Sequence, residues 1–218
     1  MNANSIPIRR GMDIIAPCLL IGLGIGRVGC FLNGCCWGAT CDAPWAVTFP
    51  YDSPAYVDHV ERGLVPPNPP ELLVTDPLDP KQRAHYASAD EAMANPTMAA
   101  IARERRSLPV HPTQLYSTFT AFFVCAALLA FFTLKPRPGR VFALMMILEG
   151  IGRFTLETLR VEPAVWHVGR YAWSYSMVLG AGLVVGGIVL WAAFEVYDRR
   201  GSLSGPRGLG EPCVEPAV

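Results

Sequence analysis

Arg27 stands in the middle of an apolar, glycine-rich run, Gly22-Leu23-Gly24-Ile25-Gly26-Arg27-Val28-Gly29-Cys30-Phe31-Leu32-Asn33-Gly34-Cys35-Cys36-Trp37-Gly38. A charge held inside an apolar segment costs a few kcal/mol in lipid and marks a polar task. The planar guanidinium suits bidentate contact with a phosphate or a carboxylate. The alternative is a structural ion pair with Glu149 or Glu157. Glycines on both sides of Arg27 would let a ligand come close, and this favours binding. In a second apolar segment Arg153, Glu157 and Arg160 recur at i, i+4 and i+7 and so fall on nearly one helix face. Such a triad either satisfies itself or holds the headgroup of a phospholipid.

His111 precedes a proline at the start of a third apolar segment. It is either a structural interface residue or a proton acceptor near neutral pH. Asn33, Gln114 and Tyr116 are placed to donate hydrogen bonds to a headgroup or to cap helix ends. Cys30, Cys35, Cys36 and Cys41 cluster, but in none of the paired Cys-x-x-Cys spacings that make a zinc assignment strong. Small packing residues and a disulfide on an oxidising face are the competing readings, and no metal ligands are assigned.

The elements that must carry these residues are membrane helices. The chain of 218 residues is 51% hydrophobic and only 17% charged, where soluble domains average about 25% charged. Its formal net charge of zero argues against nucleic acid as a partner. A span needs about 20 mostly apolar residues, and four segments qualify: Ile14 to Leu32, Leu115 to Leu134, Val141 to Leu159, and Tyr171 to Tyr197. The last is edged by Tyr171, Trp173 and Tyr175 at one end and by Trp191 and Tyr197 at the other, as an aromatic belt would be. Backbone groups in lipid at these lengths are satisfied by helices. The expected architecture is therefore all-α, an integral membrane bundle of four helices and one long outer loop, within a single membrane domain (1–218).

Short-loop charge sets the orientation. Arg9 and Arg10, then Lys135, Arg137 and Arg140, then Arg199 and Arg200 all fall on one side, expected to be the cytoplasm. The other side receives the extracytoplasmic loop 38–111. That loop is proline-rich from Asn68 to Pro80 and suggests a surface helix from Ala89 to Arg105. The tail 201–218 reads as flexible and cytoplasmic. Asp13 and Arg27 interrupt the first apolar run and no small-x-small cleavage site follows, so a retained helix is expected rather than a signal peptide.

Taken together, these segments resemble the prolipoprotein diacylglyceryl transferases of bacterial inner membranes. The family signature reads Gly-Arg-x-Gly-Asn-Phe-x-Asn-Gly-Glu-x-x-Gly, and this chain has Gly26-Arg27-Val28-Gly29-Cys30-Phe31-Leu32-Asn33-Gly34-Cys35-Cys36-Trp37-Gly38. The likeness continues in Pro44-Trp45-Ala46-Val47-Thr48-Phe49-Pro50, in His111-Pro112-Thr113-Gln114-Leu115-Tyr116, and in Gly152-Arg153-Phe154 followed by Glu157 and Arg160. The resemblance implies a multi-pass inner-membrane transferase of lipoprotein biosynthesis. It would move the diacylglyceryl group of phosphatidylglycerol to the lipobox cysteine thiol of a prolipoprotein, release glycerol phosphate, and need no cofactor. It would use His111, Arg153 and Glu157 catalytically, and Arg27, Asn33, Gly38, Gln114, Tyr116 and Arg160 to bind substrate.

Two departures are visible. The signature asparagine and glutamate are Cys30 and Cys35 here. The family's three helices and His-Gly-Gly segment ahead of the signature have no counterpart in these residues, and the readings are a misassigned start, a split gene whose other chain supplies them as a partner, or a reduced relative. A non-catalytic or divergent phospholipid-binding membrane protein is the alternative reading.

Overall fold

A computed structural model describes residues 8–74, 84–160, 166–168 and 171–203. Its frame is four long helices: α1 (Ile8–Leu32), α5 (Thr113–Thr133), α6 (Arg140–Glu157) and α7 (Tyr175–Leu203). Between α1 and α5 come α2 (Pro54–Glu61), a 3-10 turn at Pro70–Leu72, β1 (Leu73–Val74), β2 (His85–Tyr86), α3 (Ala89–Ala94) and α4 (Pro96–Glu104). A small hairpin, β3 (Trp166–Val168) with β4 (Tyr171–Trp173), leads into α7.

Three of the four expected spans are long and apolar enough to cross a membrane: Ile8–Leu32, Thr113–Thr133 and Tyr175–Arg200. Their outward faces suit lipid, since Phe119 and Phe123 of α5 are 71% and 76% exposed. The fourth, α6, carries Arg140, Glu149, Arg153 and Glu157 within 18 residues and falls short on charge rather than on length. It packs against α7, α5 and α1. Two expected boundaries move. The first helix starts at Ile8, before Asp13. Residues 171–173 belong to the β3–β4 hairpin, so α7 begins at Tyr175 and the expected belt lies partly on a strand. The expected flexible tail is helical at 201–203, and its remainder lies outside the described residues.

The bundle core joins three helices: Ala16 and Leu20 of α1, Val124, Cys125 and Leu128 of α5, and Val141 and Met145 of α6. Between α6 and α7 the backbones come closer than side chains would allow. A Cβ on Gly150 would lie 2.6 Å from the Gly180 carbonyl oxygen. Small residues at such crossings are how helices associate in lipid, where no hydrophobic force drives them together.

One end of the bundle is closed by charge pairing. Buried Asp13 of α1, 2% exposed, accepts hydrogen bonds from the backbone N–H groups of Gly139 (2.7 Å) and Phe142 (3.0 Å). Asp13 therefore caps the N-terminus of α6, where unpaired donors and the helix dipole favour an anion. Beside it Arg9 pairs with Asp198 of α7 at 2.9 Å, and Arg140 pairs with Glu195. All three basic clusters of the sequence therefore lie at this end.

At the opposite end, residues 33–74 and 84–112 fold into a small unit rather than a structureless loop. Tyr51, Tyr56, Leu72, Ala87, Ala92 and Ala102 form its core. The expected surface helix from Ala89 to Arg105 is two helices, broken at Asn95, whose side chain accepts from the Thr97 N–H as Pro96 opens α4. A second cluster, Phe49, Ala55 and Val110 with Phe31, Trp37 and Val47, seats the unit on the end of α1. Backbone bonds between residues 38–49 and 107–111 complete the attachment, among them Val47 and Val110 exchanging N–H···O bonds of 3.1 Å. His59 is 3% exposed, and its Nδ1 accepts from the Leu108 N–H at 3.1 Å. Burial, chiefly, pushes its imidazole below the ordinary value of 6.5, with Arg62 adding to the effect and Asp58 opposing it.

Two outcomes follow from these contacts. Asp13→Ala leaves the first donors of α6 buried without an acceptor, and thermal unfolding in detergent micelles should show a loss of about 1–3 kcal/mol. Asp13→Asn, which keeps an acceptor oxygen, should lose less, and unchanged stability in both variants would contradict the cap. For His59 the folded pKa lies below the unfolded one, so the unfolded chain binds more protons. The stability held by neutral His59 is then complete above about pH 6.5 and is lost as pH falls below it. Hydrogen exchange across 47–110 should accelerate between about pH 7.5 and about pH 5, after correction for intrinsic rates, and His59→Gln should flatten that dependence.

Candidate active site

Where α1, α5, α6 and α7 approach one another toward the loop end, they border a partly open cleft. Its lining brings together most of the polar residues that stand inside apolar segments. Arg27 and Cys36 come from α1 and the turn after it, Thr113, Ser117 and Thr120 from α5, and Glu149, Gly152, Arg153, Leu156 and Glu157 from α6. Arg160 and Ser176 complete it. Three arginines face two glutamates in this lining, an excess of one positive charge if both carboxylates are ionised.

The pairing in the cleft is uneven. Glu157 is 4% exposed and is held from two sides: the Ser174 hydroxyl donates to it at 2.8 Å, and Arg160 lies 3.4 Å away. Among the described residues Arg27 and Arg153 have no ion pair, and Nε of Arg153 is buried without a hydrogen-bond partner. Arg27 thus makes no direct contact with Glu149 or Glu157, although Arg27 and Arg153 both act on Glu149 across the cleft. A desolvated guanidinium with spare donors is suited to a bidentate anion such as a phosphate.

Two other sequence candidates, Gly38 and Gln114, build the wall of the cleft rather than line it. Gly38 is where the loop crosses the bundle. A Cβ there would lie 2.7 Å from Thr113 Cγ2, 2.8 Å from His111 Cβ and 2.9 Å from the Leu159 carbonyl oxygen, so only glycine fits without displacing α5 or the chain after α6. Its N–H donates to the His111 carbonyl (2.9 Å), and the Ala39 N–H to the Leu159 carbonyl (2.8 Å). Gln114, 1% exposed, donates through Nε2 to the Cys35 carbonyl at 2.7 Å. The Thr113 hydroxyl donates to the Cys36 carbonyl at 2.8 Å.

His111 sits on the loop side of this wall, half-buried, one residue from Pro112 at the start of α5. Its Nδ1 is 3.3 Å from the Tyr116 hydroxyl, which also accepts from Trp45 Nε1 at 2.7 Å. His111, Tyr116 and Trp45 form a lip outside the arginine cleft, with Gly38 and Thr113 between the two. Asn33 is exposed just past α1 and lies outside the cleft lining.

Ser117, Thr120 and Ser176 are cleft residues that the sequence reading passed over. The first two had a signal: with Thr113 they recur at i, i+4 and i+7, a polar stripe on a helix otherwise filled with phenylalanine and alanine. Ser176 had none of this kind.

Comparison with known proteins converges on one group. A family model described as prolipoprotein diacylglyceryl transferase matches residues 1–193. A phosphatidylglycerol–prolipoprotein diacylglyceryl transferase of Burkholderia multivorans is 35% identical over 196 residues, which cover 86% of this chain and 55% of that protein. One of Serratia proteamaculans is 32% identical over 192 residues (86% and 54%). One of Pseudomonas aeruginosa is 31% identical over 187 residues (83% and 50%). The chain spans about half the length of the curated relatives it matches.

Proposed function

This chain belongs to the prolipoprotein diacylglyceryl transferase family, and we propose that it serves the transfer of a diacylglyceryl group from phosphatidylglycerol to the lipobox cysteine of a prolipoprotein. The observation that carries this reading is the convergence of Arg27 and Arg153, from separate helices and without a carboxylate in ion-pair contact among the described residues, on one cleft where Glu149 faces them at longer range. Their guanidinium groups would clamp the headgroup phosphate, with Arg160 beside them and positioned by Glu157.

The reaction asks little else of the cleft. The acceptor thiol loses its proton, and the thiolate attacks the glyceryl carbon. An S–C bond forms, the C–O bond to phosphate breaks, and glycerol phosphate leaves. Negative charge grows on the departing phosphate, where fixed guanidinium groups in a desolvated site act most strongly. His111 is the assigned proton acceptor. Its contact with Tyr116 orients the ring at the lip, where a thiol entering from the loop side would meet it. Gln114 and Gly38 act by holding the loop against α5, and Asn33 and Tyr116 by contacting substrate at the rim.

The end bearing Arg9, Arg10, Lys135, Arg137, Arg140, Arg199 and Arg200 is assigned to the cytoplasm on the positive-inside rule. The cleft then opens to the outer leaflet of the bacterial inner membrane, and the C-terminus is cytoplasmic. Polar groups facing lipid are costly, so further helices, of the same polypeptide or of a partner chain, are assigned to cover the open side of the cleft. A second reading, lipid binding without transfer, is favoured by one observation: thiols at Cys30 and Cys35 stand where the family signature has an amide and a carboxylate.

The test uses the chain in phosphatidylglycerol-containing nanodiscs with a fluorescent lipobox peptide. Arg27→Ala and Arg153→Ala should each weaken phosphatidylglycerol binding by about tenfold or more, the worth of one charge-assisted contact, while helical circular dichroism stays unchanged. Normal binding by both variants would contradict the site. Wild-type binding with no transfer to the peptide would select the second reading.

A further inference from the structure

The thiols of Cys30, Cys35 and Cys36 lie within 4.8 Å of one another. All three are free and half-buried, and the transfer chemistry above uses none of them. Their spacing in sequence matches no paired metal motif; the turn after α1 gathers them. Cys30 is on the last turn of that helix, and Gly34 then reverses the chain in the left-handed region at φ 69°. The Cys35 N–H returns to the Cys30 carbonyl at 3.1 Å, and the Cys35 thiol points to the same oxygen at 3.6 Å.

Cys36 itself has φ 60°, a conformation that residues with a side chain seldom adopt. It is over-determined from outside the turn: buried Gln114 and Thr113 fix the carbonyls of Cys35 and Cys36. Backbone strain that the surroundings enforce is a feature of functional sites. Here its effect is to present three sulfurs as one group.

We propose that Cys30, Cys35 and Cys36 bind one thiophilic d10 metal ion, zinc(II) or copper(I), at the rim of the cleft. Thiolates select these ions. At a metal–sulfur distance of about 2.3 Å, three ligands around one ion sit roughly 3.8 to 4.0 Å apart, a separation that side-chain rotation within the present turn reaches. Binding releases the thiol protons to solvent. Arg27, one turn before Cys30 on α1, places positive charge beside the resulting anionic site. Copper(I) would be satisfied by the three thiolates. Zinc(II) would keep one position for water or another ligand, and since Cys36 lines the cleft, that position adjoins it. A disulfide is the competing chemistry on an oxidising face, but it joins two of the three sulfurs and leaves the third without a role.

This inference does not rest on the transferase reading, and its test needs neither lipid substrate nor activity. The full chain, purified in detergent, reduced and stripped of metal, is titrated with zinc(II) and separately with copper(I) against a chromophoric chelator. One equivalent of at least one ion should bind. Cys30→Ser, Cys35→Ser and Cys36→Ser should each weaken that binding at least about tenfold, and Cys18→Ser should not. In case a variant fails to fold, alkylation of the wild-type chain is mapped by mass spectrometry with and without the metal, which should protect these three thiols over Cys18. Absence of stoichiometric binding by the reduced chain would overturn the proposal. So would binding indifferent to all three serines, or a disulfide among the three in chain trapped with an alkylator directly from intact cells.

Discussion

Charge inside an apolar bundle must be paired or put to use, and the two ends of this molecule resolve that constraint differently. At one end charges are paired across helices: Asp13 caps α6, Arg9 meets Asp198, and Arg140 meets Glu195. These contacts tie α1 to α6 and α7 through polar groups that would be costly to expose in lipid, and they fix how the helices are arranged. At the other end Glu157 is satisfied by Ser174 and Arg160, while Arg27 and Arg153 line a cleft with donors to spare. The locked end supplies the rigidity that lets the open end hold two like charges near each other.

The unit between α1 and α5 is built into the same arrangement. Its own core lets it stand as folded structure, and its backbone ladder with 107–111 lays Gly38 onto the start of α5. That single crossing joins three things: the thiol turn held by Gln114 and Thr113, the His111–Tyr116–Trp45 lip, and the cleft wall. A substitution at Gly38 would therefore disturb all three without touching an arginine.

Much of this was legible in the sequence because lipid imposes severe rules. Apolar runs of the right length marked the helices, and arginines within those runs marked the cleft, since the penalty for a buried charge makes an idle one improbable. The basic clusters at one end were readable for the same reason. What escaped depended on partners far away in the chain. Asp13 looked like an interruption of the first span because Gly139 and Phe142, its partners, lie more than a hundred residues on. The cysteine cluster was visible, but that Cys30, Cys35 and Cys36 meet while Cys41 stays apart was not, because contacts that shape the turn come from α5. The second strand of the hairpin, 171–173, was absorbed into a helix because its aromatic residues suit a membrane interface as well as a strand. The break at Asn95 had a readable cue in Pro96, which alanine-rich composition on both sides outweighed.

The central claim, that the arginine cleft receives a phospholipid headgroup, is tested most directly by photocrosslinking. A phosphatidylglycerol carrying a photoreactive group on its glycerol headgroup is incorporated with the chain into vesicles, irradiated, and its adducts mapped by mass spectrometry. The account predicts adducts on the cleft lining, near Arg27 of α1, Ser117 and Thr120 of α5, and Gly152 to Glu157 of α6. Adducts confined to the lipid-facing surface around Phe119 and Phe123, with the cleft unlabelled, would contradict it.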